Sequence, residues 1–188
     1  MQYVDLSEHG FVLEPRYYFY GWSSSPKIMG RASLVDALVC ARSHLPNGFN
    51  FKIWDVKRRR RTQTLMRNSF RRRLRMAYPE RSRSEIESLV TQFGAKLPNP
   101  NRMPRWDTHL WGGAIDLTIV DPDRNELYMG TDHDDLTPKA ALDYYENHSS
   151  LSRLDREAKR NRRLLKRVML GAHFKPYSIE WWHWSFEY

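Results

Sequence analysis

The chain has 188 residues, of which 40% are apolar and 13% aromatic, so it can bury a core and is not generally disordered. Its formal net charge is +9, a balance that favours contact with nucleic acids and anionic surfaces. Its single cysteine, Cys40, excludes an intramolecular disulfide and a metal site built on several thiolates. Cys40 lies in an apolar helical pattern and is expected to be buried.

The N-terminal segment has neither the basic start nor the apolar run of a secretory signal. No stretch is long enough to form a membrane-spanning helix. These features predict a cytoplasmic protein that forms a single domain over residues 1–188 and has no membrane partner. Its oligomeric state does not follow from the sequence.

The first part of the chain is predicted to contain short strands and loops, followed by a helix and a longer strand. Residues 1–30 mix aromatic residues with Gly, Ser and Pro and are expected to form short strands and loops. The apolar spacing predicts a helix over residues 32–45, with Ser33 as its N-cap, which ends at a Pro-Asn-Gly stop. Alternating residues predict a strand over 49–54.

Two basic helices are predicted next. The first covers residues 62–77 and carries arginines opposite an apolar side. The second covers residues 83–94 and is expected to open with a capping box formed by Ser84 and Glu87.

The second part of the chain contains the most distinct patterns. Residues 114–120 predict a buried strand, which a turn over 121–125 connects to a second short strand. Residues 132–150 are expected to be a polar loop with a helical piece, and residues 152–172 form the clearest helix. A final strand is predicted over 177–184. Helices around a central antiparallel sheet predict an α+β fold.

Two segments carry the residue types of a catalytic zinc site. The sequence HLWGGAID begins at His109 and ends at Asp116, and EWWH begins at Glu180 and ends at His183. Two imidazoles and one carboxylate can hold the ion while a fourth position is left for water, and a second carboxylate can take the proton of that water. This pattern indicates a hydrolase.

Local spacing sets one condition on this site. Because Glu180 lies three residues before His183, a regular strand would point the two side chains to opposite faces. A bulge or strong twist is therefore required between them. The other histidines are interpreted as ordinary hydrogen-bonded residues, and His133, which lies among three aspartates, is interpreted as part of a solvated loop.

At these motifs the chain resembles the VanX-type zinc D-Ala-D-Ala dipeptidases, within the wider family of zinc D-Ala-D-Ala peptidases. The resemblance extends over roughly residues 11–184 and implies the Hedgehog/D-Ala-D-Ala peptidase-like fold. The matching segments follow in the order of the family: KIWD at 52–55 followed by Arg58, HLWGGAIDLT at 109–118, MGT at 129–131, NRRLL at 161–165 and YSIEWWH at 177–183.

The resemblance implies one zinc ion per chain, held by His109, Asp116 and His183. Glu180 matches the general base of the family, and Arg58 matches the arginine that stabilises the developing oxyanion. The implied activity is hydrolysis of D-Ala-D-Ala or a similar small, peptidoglycan-derived dipeptide.

Two further residues match the part of the family's site that holds the amino end of the substrate. Asp134 lies where the family has an aspartate that binds the free amino group, and Tyr17 matches a tyrosine near the same end. Other positions depart from the family pattern and leave the exact substrate open: Asp107, Lys57, Arg59 and residues 22–24.

Three alternatives remain. The first is the same chemistry on another substrate, as in a D,D-carboxypeptidase, a peptidase of peptidoglycan stem peptides or another small-amide hydrolase. The second, which is weaker, is a nucleic-acid-binding protein that uses its arginine runs. Arg153, Arg156, Arg160, Arg163 and Arg167 lie on the outer face of an amphipathic helix, where exposure to solvent explains them, and no recognised motif for nucleic-acid binding accompanies them. The third is a catalytically inactive relative.

Overall fold

The structure, a computed structural model, describes residues 2–93 and 107–187. The strands in these ranges are two or three residues long, except for three strands of six or seven residues. The strands are β1 (Tyr3–Asp5), β2 (Val12–Leu13), β3 (Met29–Arg31), β4 (Asn50–Asp55), β5 (Ala114–Val120), β6 (Lys175–Tyr177) and β7 (Glu180–Ser185).

Five of these strands form the main sheet, in the order β2-β4-β5-β7-β6. All neighbours pair antiparallel except β2 and β4, which are parallel. The chain crosses over between β2 and β4 through other elements, and such a crossover is what parallel pairing requires. β1 and β3 form a separate antiparallel pair.

Among the described residues, five α-helices accompany the sheet, and several short 3-10 turns connect the elements. The helices are α1 (Arg16–Phe19), α2 (Ala32–Ser43), α3 (Arg60–Ala77), α4 (Arg83–Phe93) and α5 (Arg153–Gly171). The predicted α+β fold is confirmed. None of the helices in the described ranges is long and apolar enough to cross a membrane.

The main core joins α2 and α5 to the centre of the sheet. Leu38 of α2 and Leu165 of α5 belong to the same buried cluster as Phe51 of β4 and Leu117 of β5. All seven residues of β5 are buried. Both faces of the sheet are therefore covered at its centre, where β5 can hold a polar side chain away from water.

Helices α2 and α4 begin at the predicted residues, but their capping residues lie two positions before the predicted ones. Ser33 is not an N-cap, because α2 already begins at Ala32. The capping box of α4 is formed by Ser82 and Glu85, whose side chains bond each other's backbone N–H groups. Glu87 instead forms an ion pair with Arg71 of α3.

Three other expectations are wrong. Cys40 is exposed, because it lies on the solvent side of α2. The segment after the 121–125 turn forms only an isolated bridge between Val120 and Glu126. The single strand predicted over 177–184 is the second strand of a hairpin, whose first strand begins at Lys175.

Candidate metal centre

Sheet register brings the first candidate ligands together. Asp116 on β5 is the Cα partner of His183 on β7 and of Asp55 on β4. A register shift on β4 lies just before Asp55. The side chains of Asp116 and His183 meet, with Asp116 Oδ1 3.1 Å from His183 Nδ1.

His109 reaches the same point from a short 3-10 turn before β5. Its Nε2 lies 3.1 Å from His183 Nδ1 and 3.2 Å from Asp116 Oδ2. The turn depends on Gly112, which has a φ of +65° and leaves no room for a side chain: a Cβ there would lie 2.9 Å from the Tyr3 ring.

The three side chains fit a zinc ion by donor type and spacing. One ligand atom from each of His109, Asp116 and His183 lies within 4.8 Å of the other two. A tetrahedral ion with bonds of about 2.0–2.1 Å keeps its ligand atoms about 3.3 Å apart. This spacing is close to the 3.1 Å that separates His183 Nδ1 from His109 Nε2 and from Asp116 Oδ1 in the triangle formed by the three side chains. Two imidazoles with one carboxylate leave a fourth position open.

Contacts of His109 Nδ1 determine which ring nitrogen faces Asp116 and His183. His109 Nδ1 lies 2.7 Å from the carbonyl oxygen of Val56 and 2.9 Å from Asp55 Oδ2. A proton on Nδ1 leaves the Nε2 lone pair for a ligand. Burial alone lowers the pKa of His109, but the neighbouring Asp116 carboxylate outweighs it and raises the pKa to about 9. A bound metal would therefore displace a proton.

Asp55 is a site residue that the sequence reasoning did not assign. The carboxylate that contacts His109 Nδ1 comes from the end of the KIWD strand, two positions after Ile53. Its signal in the sequence was an acidic residue at the end of a strand, three positions before Arg58.

Glu180 lies beside the triangle, at the start of β7. Its Oε2 is 3.9 Å from His183 Nδ1. The pairing of β6 with β7 shifts between Pro176 and Tyr177, which provides the irregularity that the spacing of Glu180 and His183 requires. Burial raises the pKa of Glu180 well above its ordinary value, and the negative charge of Asp116 raises it further.

Arg58 is buried and lies against the carboxylates of Asp55 and Asp116. Its Nη2 donates to Asp116 Oδ2 at 2.7 Å, its Nε to Asp55 Oδ2 at 2.9 Å and its Nη1 to Gln63 Oε1 at 2.9 Å. Its backbone N–H donates to the carbonyl of His109, which locks it to the turn before β5. Although burial alone lowers the pKa of Arg58, the anionic groups around it raise the pKa overall, so Arg58 is charged.

Tyr17 and Asp134, which the resemblance placed at one end of the substrate, contact each other. The Tyr17 hydroxyl donates to Asp134 Oδ2 at 3.2 Å. The Tyr17 ring also lies under the Arg58 guanidinium, 4.6 Å from its Cζ. Asp134 has a φ of +58°, in the left-handed region, so an uncommon backbone conformation sets the direction of its side chain.

The interpretation of His133 as part of a solvated loop is wrong. His133 is buried, and its ring packs against Trp54 and Trp182 at centroid distances of 4.7 and 5.5 Å. Local polarity was misleading here, because Asp132 and Asp135 accept hydrogen bonds from Arg16 and Thr137 while the His133 ring turns inward. The segment is fixed from outside by Arg16, whose Nη1 donates to Asp132 Oδ1 at 2.7 Å.

One arginine of α5 binds the loop that contains Asp134 on both sides of that residue. The guanidinium of Arg162 donates to the carbonyls of Met129, Lys139 and Ala141 at 2.6–2.9 Å. Unlike the arginines on the outer side of the helix, it is buried, and burial lowers its pKa to about 10. The NRRLL segment thus contributes a structural contact to the site.

Comparison with known proteins decides the family. A model described as D-ala-D-ala dipeptidase, of the M15 peptidases, matches residues 23–187. The chain belongs to this family. M15 peptidases are metallopeptidases, so the chain is a peptidase of a metal-dependent family and has a His/Asp cluster that could hold the ion.

Three relatives are each named D-alanyl-D-alanine dipeptidase. The protein of Enterococcus faecium is 26% identical over 160 residues, which cover 84% of this chain and 73% of the relative. That of Synechocystis sp. is 33% identical over 57% of this chain and 44% of the relative. That of Escherichia coli strain K12 is 37% identical over 41% of this chain and 36% of the relative.

Proposed function

We propose that this chain is a zinc-dependent dipeptidase that hydrolyses D-Ala-D-Ala or a similar small dipeptide. His109, Asp116 and His183 are the proposed ligands of one zinc ion. The observation that carries the proposal is the close approach of their ligand atoms beside the carboxylate of Glu180: His183 Nδ1 lies 3.1 Å from both His109 Nε2 and Asp116 Oδ1, and Asp116 Oδ2 lies 3.2 Å from His109 Nε2. The names of the relatives support the substrate class.

Glu180 is the proposed general base. Bound zinc would supply a Lewis acid that polarises the peptide carbonyl and lowers the pKa of water to about 7. Glu180 takes the proton of the attacking water and passes it to the nitrogen of the leaving amine. Burial raises the pKa of Glu180, and a stronger base accepts the proton of water more readily.

Arg58 is the proposed donor to the negative charge that develops on the carbonyl oxygen. Its contacts with Asp55, Gln63 and Asp116 hold the guanidinium rigidly beside the proposed zinc ligands. A fixed donor costs no reorganisation when the charge appears.

Asp134 and Tyr17 are the proposed binding site for the free amino group of the substrate. A substrate ammonium would compensate the carboxylate of Asp134, whose neighbour Tyr17 already donates to its other side. A blocked amine would leave that carboxylate without a cationic partner, which is costly in a closed site. This arrangement favours a dipeptide over longer chains.

The substrate class can be tested on zinc-loaded protein with three compounds: D-Ala-D-Ala, its N-acetyl derivative and a stem pentapeptide ending in D-Ala-D-Ala. We expect cleavage of the free dipeptide alone, and a loss of that cleavage in Asp134→Asn. The exposed control Asp123→Asn should keep it. Release of D-Ala from the pentapeptide would instead identify a D,D-carboxypeptidase, and cleavage of none of the three would overturn the proposal.

A further inference from the structure

His133 has a buried polar side chain that takes no part in the proposed reaction. The residue is only 6% exposed, and neither ring nitrogen has a hydrogen-bond partner among the described residues. Buried polar atoms without partners are rare in folded proteins. A group of this kind beside a reaction site points to a role there.

The ring of His133 is aimed at two carboxylates at once. Its Nε2 lies 3.6 Å from Asp116 Oδ2 and 3.6 Å from Asp134 Oδ1. These distances are slightly longer than a hydrogen bond, so the interaction is that of an N–H dipole with two negative charges. Asp116 is a proposed zinc ligand, and Asp134 is the proposed partner of the substrate amine.

The ring cannot easily turn to other partners. Trp54 and Trp182 pack against it. Its own backbone N–H donates to Asp132 Oδ1 at 2.7 Å, the same oxygen that accepts from Arg16. Arg16 in turn stacks on Trp54, with its Cζ 4.4 Å from the ring centroid. Both the backbone and the ring of His133 are therefore held in place.

We propose that His133 is a positioning residue that presents Nε2–H between Asp116 and Asp134. This hydrogen offsets the repulsion between the two carboxylates and holds Asp134 at a fixed distance from the metal centre. That distance is the one a free amino group must span when the scissile carbonyl reaches zinc. The inference rests on the proposed function for the roles of the two carboxylates.

The position of the hydrogen can be tested without any reaction. Nitrogen-15 NMR of the imidazoles distinguishes a protonated ring nitrogen from an unprotonated one, in both metal-free and zinc-loaded protein. We expect the proton of His133 on Nε2 in both forms. A proton on Nδ1 alone would overturn the proposal, whatever the protein hydrolyses.

Three substitutions test the effect on the substrate. His133→Gln keeps an N–H near the place of Nε2, His133→Asn keeps one near the place of Nδ1, and His133→Phe keeps none. On zinc-loaded protein with D-Ala-D-Ala, we expect the Gln variant to stay within about threefold of wild type. The Asn and Phe variants should lose about tenfold or more in kcat/KM, mainly through KM.

Zinc content and melting temperature of each variant separate this effect from a loss of structure. If the Phe variant does not fold, the contrast between Gln and Asn still decides the matter. Equal KM values for wild type, Gln and Asn would overturn the positioning role. A wild-type protein that does not cleave the dipeptide would refute the proposed function, and the NMR result would still decide where His133 carries its hydrogen.

Discussion

Asp116 and His183 are direct Cα partners on neighbouring antiparallel strands, and their side chains meet with Oδ1 3.1 Å from Nδ1. The separation of these two groups is therefore set by backbone pairing between β5 and β7. A one-residue slip of β7 would turn His183 to the other face of the sheet. The candidate metal centre thus depends on the register of the sheet.

Removal of a proposed ligand should remove the metal. We expect His183→Ala and Asp116→Ala to lose bound zinc, because a site with two protein ligands left is much weaker. Elemental analysis of purified protein, with His148→Ala as an exposed control, measures this directly. A full equivalent of zinc in either variant would remove that residue from the set of ligands.

Arg58 should not tolerate replacement by lysine. The guanidinium makes separate contacts with Asp55, Gln63 and Asp116, and a single ammonium group cannot reproduce these directions. We expect Arg58→Lys to lower kcat/KM for the dipeptide by about 100-fold or more. The neighbouring exposed substitution Arg59→Lys is the matched control. Equal activity of the two variants would mean that Arg58 is only part of the basic run.

Two adjacent arginines of α5 should differ strongly in their effect on stability. Arg162→Met leaves three carbonyls of the Asp134 loop without their donor, and we expect the free energy of unfolding to fall by about 3 kcal/mol or more. Arg163 pairs with Glu146 at the surface, so Arg163→Met should change the free energy of unfolding little. Denaturant unfolding of both variants provides the comparison, and similar losses would contradict the loop-anchoring role.

The sequence predicted the regular parts of the fold well. The strand over 114–120 has the predicted bounds, and the helix predicted over 152–172 is present over 153–171. A mostly apolar run marks the strand that is buried on both faces, and a helical period of apolar residues marks the helix that is buried on one side. The convergence of His109, Asp116 and His183, which was expected from motif and resemblance, is present in the structure.

Tertiary contacts explain what the sequence could not provide. The burial of His133 depends on tryptophans from two separate strands and on Arg16, none of which is near it in sequence. The role of Asp55 depends on the pairing of β4 with β5. The displaced capping box at Ser82 reflects the competition of several serines for one helix start.

The central claim is a metal centre that hydrolyses a dipeptide with Glu180 as the base. The most direct test measures zinc content and D-Ala-D-Ala hydrolysis on the same purified samples of wild type and Glu180→Ala, with the exposed Glu80→Ala as control. We expect one zinc per chain in all three proteins and a loss of turnover of at least about 100-fold in Glu180→Ala alone. Near-normal turnover in Glu180→Ala, or zinc-loaded wild type that leaves the dipeptide intact, would contradict the account.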